Sequence, residues 1–208
     1  MRIGTVAVCT VLGLATTSVA HADPPPADQV FIQSVTYAGS GCPAGSVAAA
    51  LQDDRTSMRM AFDKFVASVG PDVQFSESRK NCNVVVKLRM PQGWHVAVPM
   101  IDYEGYIDLQ QKVTARIRTA VYTPRTADRT TTFGSDWTGP IVSSFSVRDT
   151  VSAEGVVFSA NPGDTVLLHV NTQMHVDNAA NKNGSGLLTV DEIDHKTKLV
   201  LGLQWRHD

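Results

Sequence analysis

The stretch Cys82-Asn83-Val84-Val85-Val86-Lys87-Leu88-Arg89-Met90 places an apolar side chain at every even position. Because successive side chains of a β-strand point to opposite faces of a sheet, this alternation predicts a strand with one buried face. Similar alternation predicts further strands at residues 47–51, 58–62, 94–98, 107–121, 141–147, 156–158, 166–176, 187–190 and 199–205. About ten strands separated by polar turns predict an all-β fold, an antiparallel β-sandwich or jelly roll. A closed barrel is the alternative architecture.

Two strand boundaries in this pattern depend on proline and on parity. We expect Pro99 to end the strand that begins at Trp94, because proline lacks the N–H group that a central strand donates. Residues 107–121 keep their apolar side chains mostly at odd positions, which predicts one long strand or a bulged one. Asp53-Asp54 separates two alternating segments and predicts the turn of a hairpin.

The overall composition excludes one class of partner. The chain has 208 residues with 18 Lys+Arg, 20 Asp+Glu and a formal net charge of -2. This balance provides no basic footprint of the kind that binds nucleic acid or anionic lipid. We therefore expect no nucleic-acid partner.

Residues 1–22 have the pattern of a secretory signal peptide. Arg2 precedes a run of small and apolar residues, and Ala20-His21-Ala22 supplies the small residues of a cleavage site. A transmembrane anchor is the alternative, but the run is barely long enough and is broken by threonine and glycine. Cleavage would release a secreted, extracellular protein that has no membrane partner.

The remaining chain is expected to form one domain. Residues 23–28 contain three successive prolines and predict a stiff, extended lead-in. Residues 29–208 contain no linker, charge block or repeat, and are expected to form a single β-sandwich domain.

Two cysteines remain after the signal peptide and its Cys9 are removed. In an oxidising compartment, Cys42 and Cys82 are expected to form a disulfide. A free catalytic thiol is the competing interpretation, and it would require an unpaired cysteine with a lowered pKa.

Five ordered motifs extend across the chain after the signal peptide. They are VTYAGSGCP at 35–43, SRKNC at 78–82, PQGW at 91–94, YEGY at 103–106 and LQWR at 203–206. Together they resemble DUF4360, a family of small secreted proteins of unknown function. The resemblance implies a secreted all-β protein, but it implies no activity, ligand or catalytic residue.

The resemblance also implies two further cysteines that this chain lacks. They would lie near Ala160 and near Asp208. The C-terminal strand at 200–205 is then expected to be held by sheet pairing and side-chain burial alone.

Two acidic residues suggest a weak catalytic alternative. Asp102 and Glu104 lie two positions apart and would share one face of a strand. Paired carboxylates carry out glycoside hydrolysis, in which one protonates the leaving oxygen and the other acts as nucleophile or base. Trp94, Tyr103 and Tyr106 lie nearby in sequence and could form a ligand face that stacks on a sugar. A solvent-facing strand would carry the same residues without any activity.

A basic pair lies beside the expected disulfide. Arg79 and Lys80 directly precede Asn81-Cys82 and could contact an anion or a partner, held rigid by the bridge. The plainer interpretation is a soluble loop, because exposed arginine and lysine beside turns are common.

No metal or cofactor site is expected. The histidines show neither His-x-His nor His-Glu-x-x-His spacing. Aligning Gly184 with the turn glycine of an EF-hand leaves Ala179 and Val190 at positions that require carboxylates, so a polar hairpin loop is favoured. A calcium site of another type, using Asp177, Asp191 or Asp194, is left open. Asn183-Gly184-Ser185 also forms a glycosylation sequon, which matters only in a eukaryotic host.

Three functions follow from these features. The first is a non-catalytic binding or interaction module for an extracellular glycan or protein, favoured because no nucleophile motif or metal set is recognisable. The second is a small hydrolase that acts on glycans through Asp102 and Glu104. The third is a secreted protease inhibitor that presents the loop at 39–45, braced by Cys42.

Overall fold

A computed structural model describes residues 24–160, 164–190 and 198–208. In this part of the chain, twelve strands form two antiparallel sheets. The signal peptide predicted at 1–22 lies outside the described residues. No helix among the described residues is long and apolar enough to cross a membrane.

One sheet has five strands and contains the stretch 82–90. Its strands are β1 (Phe31–Ala38), β5 (Arg79–Arg89), β7 (Thr114–Tyr122), β8 (Thr131–Thr138) and β10 (Thr165–Asp177). Their order across the sheet is β1-β5-β10-β7-β8. The predicted strand at 82–90 therefore pairs with neighbours on both sides.

The other sheet has seven strands arranged around one long central strand. They are β2 (Val47–Leu51), β3 (Ser57–Phe62), β4 (Val66–Val69), β6 (Trp94–Leu109), β9 (Ile141–Thr150), β11 (Gly186–Thr189) and β12 (Leu199–His207). β12 and β11 pair in turn with successive parts of β6, and β9 pairs with its other edge. The all-β sandwich prediction is confirmed, and the closed-barrel alternative is wrong because the strands belong to two separate sheets.

The core lies between the inward faces of the two sheets. On β5, the even positions that the sequence predicts to be apolar are all buried, from Cys82 to Leu88. The same alternation buries the even positions of β10 and the odd positions of β7. The outward positions of these three strands therefore form one continuous outer surface.

The predicted disulfide is confirmed. Cys42 and Cys82 are bridged, with their Cα atoms 5.5 Å apart. Both residues are buried. The bridge fixes the turn after β1 to the first half of β5.

Two strand boundaries are wrong. Pro99 lies inside β6 rather than at its end, at the register shift where β12 passes Val98 and Pro99 without pairing. A proline is tolerated there because no partner needs its missing N–H group. Residues 107–121 form the end of β6, a turn and β7 rather than one strand, and the turn places Lys112 at φ 65°. The buried positions are odd both before and after the turn. The alternation pattern therefore continues through the turn and gives no sign of it.

The pattern also missed β1, β4 and β8, and it predicted a strand at 156–158 that is not formed. The backbone at 156–158 is irregular, and the next residue, Ser159, makes two hydrogen bonds to β6. Its N–H donates to Val96 O at 2.8 Å, and its hydroxyl accepts from Val96 N at 3.1 Å.

The C-terminal strand has more support than pairing and burial. The His95 ring lies between two oxygen atoms, 2.5 Å from Ser159 O and 2.7 Å from Asp208 Oδ1. Asp208 N also donates to Gly93 O at 2.9 Å. The expectation that β12 is held without further links is therefore wrong.

The described part of the lead-in, residues 24–28, contacts the sandwich. Pro25 is buried, and Arg55 Nη2 donates to Ala27 O at 2.8 Å. Arg55 Nε donates to Val30 O at 3.0 Å, which holds the start of β1 against the turn between β2 and β3.

Candidate ligand-binding site

The outer surface of the five-stranded sheet gathers polar side chains from three neighbouring strands. His175 on β10 pairs with Arg79 on β5 and with Arg116 on β7. Two positions earlier on β10, Gln173 pairs with Asn81 and Arg118. Because residues paired directly across strands point to the same face, these side chains form two adjacent rows.

A cleft of about 680 Å³ lies over these rows. Most of its lining is basic or carries a side-chain amide. The lining residues are Arg79, Lys80, Asn81, Arg116, Arg118, Asn171, Gln173, Met174 and His175. The cleft is therefore a polar surface with a positive bias.

Arg118 is fixed in place at one side of the cleft. Its Nη1 donates to Ile117 O at 2.7 Å and to Ser135 O at 3.0 Å, and its Nη2 contacts Asp136. Arg116 Nε is 3.8 Å from the other oxygen of the same Asp136 carboxylate. One carboxylate thus serves two guanidinium groups.

Other polar groups of this surface have no protein partner. Within the described residues, the side chains of Arg79, Asn171 and Gln173 make no hydrogen bond or ion pair. The next row adds Asn83, which pairs with Asn171 across the strands. The Oδ1 atoms of Asn83 and Asn171 are both buried without a hydrogen-bond partner. Such groups cost stability unless a ligand or solvent satisfies them.

Two histidines of β10 face the same outer surface. The His169 ring stacks on Tyr122, with centroids 4.8 Å apart and an interplanar angle of 11°. Burial lowers the pKa of His169. Burial also lowers the pKa of His175, and the positive charge of Arg79 lowers it further. Both rings therefore favour the neutral form more than a free histidine does.

The pleat separates the basic pair predicted beside the disulfide. Arg79 is exposed on the outer surface, while Lys80 has inward parity and pairs with Glu77 at 2.9 Å. Arg79 is therefore available to an anion or partner, whereas the charge of Lys80 is compensated within the chain.

The acidic pair lies on the outer face of the other sheet, where each member has its own cation. Asp102 accepts two hydrogen bonds from Arg148 on β9, at 2.7 and 2.8 Å. Glu104 pairs with Lys198 at 3.1 Å. This pairing does not resemble a glycosidase pair, in which one carboxyl must hold a proton to donate.

The aromatic ligand face predicted from sequence is not assembled. Tyr103 is fully buried with inward parity, whereas Tyr106 points to the outer face of β6. Trp94, at the far end of β6, packs edge-on against His207 with centroids 5.1 Å apart. Strand alternation therefore separates neighbouring tyrosines that the sequence places close together.

Tyr103 instead places a polar hydroxyl group within the core. Its hydroxyl has no hydrogen-bond partner of good geometry, although Thr119 of the opposite sheet lies close by. Thr119 bonds to Thr172 at 2.9 Å. Burial raises the pKa of Tyr103 well above its usual value.

The loop at 39–45 is folded back on the sheet. Gly41 N donates to Asn81 O at 2.9 Å, and Gly45 N donates to Tyr37 Oη at 2.7 Å. Gly41 and Cys42 are buried at the middle of the loop, and the residues on either side of them are exposed. A protease inhibitor presents an extended segment, and this closed turn does not provide one.

The loop between β10 and β11 is polar, as its sequence predicts, but the hairpin interpretation is wrong because these two strands belong to different sheets. Asn178 Nδ2 donates to Gly184 O at 3.0 Å, and Asn181 Nδ2 donates to Gln111 O at 2.9 Å. Asp177 accepts from Ala179 N at 2.6 Å. Asp191 and Asp194, named for a calcium site, lie outside the described residues.

The sequence matches the model of a domain of unknown function, DUF4360, over residues 28–207. The chain belongs to this family. It is 35% identical over 182 residues to an uncharacterized secreted protein of Arthroderma benhamiae, covering 88% of this chain and 73% of that protein. The prediction of a secreted protein is confirmed.

Solved structures similar to this DUF4360 protein include two carbohydrate-binding modules. The module TmCBM61 in complex with β-1,4-galactotriose gives a TM-score of 0.30 at 6% identity, over 92% of this chain and 100% of that one. The family 11 module of Clostridium thermocellum in complex with a mixed-linked tetrasaccharide gives 0.26 at 10% identity, over 83% and 91%. These scores are too low to assign a ligand or a shared fold.

Among the cleft residues without a protein partner, the sequence predicted only Arg79 as a contact residue. Arg116, Asn171 and Gln173 come from strands far apart in sequence, and only the register of β5, β10 and β7 brings them together. One signal was available. Residues 171, 173 and 175 are polar at every second position, which predicts a polar outer face on β10.

Proposed function

We propose that this DUF4360 protein is a secreted, non-catalytic binding module that holds a glycan in the cleft of its five-stranded sheet. The observation that carries the proposal is the pair of side-chain amides without protein partners in the lining, on Asn171 and Gln173, with Asn83 next to Asn171 on the neighbouring strand. An amide both donates and accepts hydrogen bonds, and so does each hydroxyl of a sugar. A surface of aligned free amides therefore complements a polyhydroxylated chain.

The shape of the cleft supports the same ligand. It extends over three neighbouring strands, of which the outer two lie about 10 Å apart. A cleft on the surface of a sheet is accessible to an inner segment of a long chain as well as to an end. This geometry suits a polymer more than a small metabolite, which sites usually enclose.

The composition of the cleft favours a polar ligand over an apolar protein surface. Protein interfaces are enriched in Tyr, Trp and Phe as well as in Met and Arg. The described lining of the cleft contains no Phe, Tyr or Trp, and Met174 is its one large apolar residue. The large apolar residues that are exposed, such as Phe75 and Val142, lie outside the lining.

The non-catalytic part of the proposal rests on the acidic pair. Asp102 and Glu104, which suggested hydrolysis, are paired with Arg148 and Lys198 on the other sheet. Neither faces the cleft, and both carboxylates are already engaged.

Isothermal titration against a panel of extracellular polysaccharides tests the proposal. We expect the folded protein to bind at least one of them without cleaving it. The double change Asn171→Ala and Gln173→Ala should weaken that binding at least tenfold, because two hydrogen-bonding groups are lost.

The matched control is Ser144→Ala with Ser146→Ala, on the outer face of β9. These changes remove two polar groups from the other sheet and should leave the affinity within twofold. If a folded sample binds no polysaccharide in the panel, or if the cleft variant binds as tightly as the control, the proposal is wrong.

A further inference from the structure

We infer that the glycan is acidic, and that Arg79, Arg116 and Arg118 bind its anionic groups. This inference rests on the proposed function and narrows its ligand class. The shared chemistry is an anionic substituent, carboxylate, sulfate or phosphate ester, on a polyhydroxylated chain.

The charge balance of the cleft carries the inference. Arg79, Arg116 and Arg118 face the cleft, and the single carboxylate that contacts them is Asp136 at its side, among the described residues. Asp136 engages Arg118 directly and Arg116 only at 3.8 Å. The cleft is therefore a positive region on a chain whose formal net charge is -2.

Arg79 is the least compensated of the three. It is exposed, and no described residue forms an ion pair or hydrogen bond with its guanidinium group. Arg116 lies two strands away in the same row, on the other side of His175. Two guanidinium groups thus flank one position with about 10 Å between their Cα atoms. A guanidinium binds a carboxylate, sulfate or phosphate through two parallel hydrogen bonds.

Arg118 adds a preorganised site. Its hydrogen bonds to Ile117 O, Ser135 O and Asp136 fix the side chain before any ligand arrives. An ordered donor loses little conformational entropy on binding, which favours affinity. The neighbouring amides of Asn171 and Gln173 can bind the hydroxyls of the same chain.

A merely solvated basic surface explains this arrangement less well. Like charges on one face of neighbouring strands reduce stability. Charges needed only for solubility can be spread over the whole surface of a protein. Here positive charge is concentrated over free amides and a concave surface. An anionic ligand relieves the repulsion and uses the amides as well.

The test compares an acidic polymer with its neutral counterpart. Polyglucuronate and its carboxyl-reduced form differ only at C6, where a charged carboxylate is replaced by a neutral hydroxymethyl group. Dextran sulfate, phosphorylated dextran and dextran form a second set. We expect at least one acidic polymer to bind tenfold or more tightly than its neutral counterpart, with an affinity that falls as salt rises. The carboxylate, sulfate and phosphate arms identify which anion is preferred.

Two variants locate the effect. Arg79→Gln should weaken binding of the preferred acidic polymer about tenfold, because a charge-assisted hydrogen bond is lost. Lys87→Gln removes the same charge from the same face of β5, eight residues farther along, and should change the affinity less than twofold. Both positions are exposed, so both variants should fold normally.

The outcomes separate the two proposals. If a neutral polymer binds as tightly as its acidic counterpart, or if Arg79→Gln behaves like Lys87→Gln, the inference of an acidic ligand is wrong while glycan binding stands. If neither these polymers nor the wider panel bind, the proposed function itself is wrong.

Discussion

Charged residues on the outer faces of the two sheets differ in whether they have an oppositely charged partner. On the seven-stranded sheet, Asp102 is paired with Arg148, and Glu104 is paired with Lys198. On the five-stranded sheet, Arg79 has no partner among the described residues, and Asp136 is shared between Arg116 and Arg118. The two carboxylates of the first face are thus each compensated by a cation, whereas the second face carries surplus positive charge beside side-chain amides.

Under the proposed function, this difference separates a face whose charges stabilise the fold from a face whose charges bind a ligand. A cross-strand ion pair on an exposed face helps to set strand register and contributes modestly to stability. Unpaired guanidinium groups and amides bring no such gain. The proposed function explains their concentration in one cleft by a molecule that binds there, and variants on the two faces test this contrast.

Removing the disulfide should have the largest effect on stability. The bridge closes a loop between residues 40 positions apart. Cys42→Ala with Cys82→Ala should therefore lower the free energy of unfolding by about 4 kcal/mol. Equilibrium denaturation in urea measures the loss. A decrease below about 1 kcal/mol would show that the bridge does not stabilise the five-stranded sheet as described.

Replacement of an arginine should weaken glycan binding when the arginine lies in the cleft, but not when it lies on the face of the other sheet. Arg116→Gln removes a guanidinium from the cleft and should weaken binding of the preferred acidic glycan about tenfold. Arg148→Gln removes one from the ion-paired face and should leave the affinity within twofold. Titration calorimetry on both variants checks this, and equal losses would remove the distinction between the faces.

Removal of an unpartnered polar group should weaken ligand binding if the group lies beside the cleft, but not if it lies in the core. Tyr103→Phe deletes a buried hydroxyl that lies close to Thr119 but has no hydrogen-bond partner of good geometry. The free energy of unfolding should stay the same or rise by up to about 1 kcal/mol, with no change in ligand affinity. Asn83→Ala should likewise not destabilise the fold, but it should weaken glycan binding. Denaturation and calorimetry on both variants test the contrast, which fails if Tyr103→Phe impairs binding.

Lower pH should strengthen binding of an acidic glycan modestly. The pKa of His175 is lowered by burial and by Arg79, with Arg116 acting in the same direction and Asp177 opposing it. A bound anion favours the protonated ring, so binding should tighten about threefold as pH falls below 6.5. A sulfated polymer keeps its charge over this range. Calorimetry at several pH values should show the change in the wild type and not in His175→Gln.

The same shift predicts the opposite trend for stability without ligand. Because the pKa of His175 is lower in the folded state, the unfolded state binds more protons as pH falls below 6.5. The contribution to the free energy of unfolding is present above that pH and is lost below it. Thermal denaturation of wild type and His175→Gln separates this contribution from that of His169, whose pKa is lowered as well.

Side-chain alternation was sufficient to predict the fold class and most of the strands. It identified β5 and β10, and it gave the correct buried parity for β7 even though the turn at 110–113 was missed. It could not predict which strands are neighbours, because pairing joins segments that are distant in the chain. Arg79 was found because it lies beside Cys82, whereas Arg116 and Asn171 required the register of three strands. Tyr103 was misplaced because it was grouped with Trp94 and Tyr106 by proximity in sequence, although its odd position places it on the opposite face of β6.

Solution NMR of the folded protein, titrated with an oligosaccharide of the preferred acidic glycan, tests the central claim most directly. We predict that shifts concentrate on Arg79, Arg116, Arg118, Asn171 and His175, while Asp102, Glu104 and Arg148 remain unchanged. Shifts centred on the β6 and β9 face, or an even spread over both faces, would contradict the assignment of the cleft as the binding site.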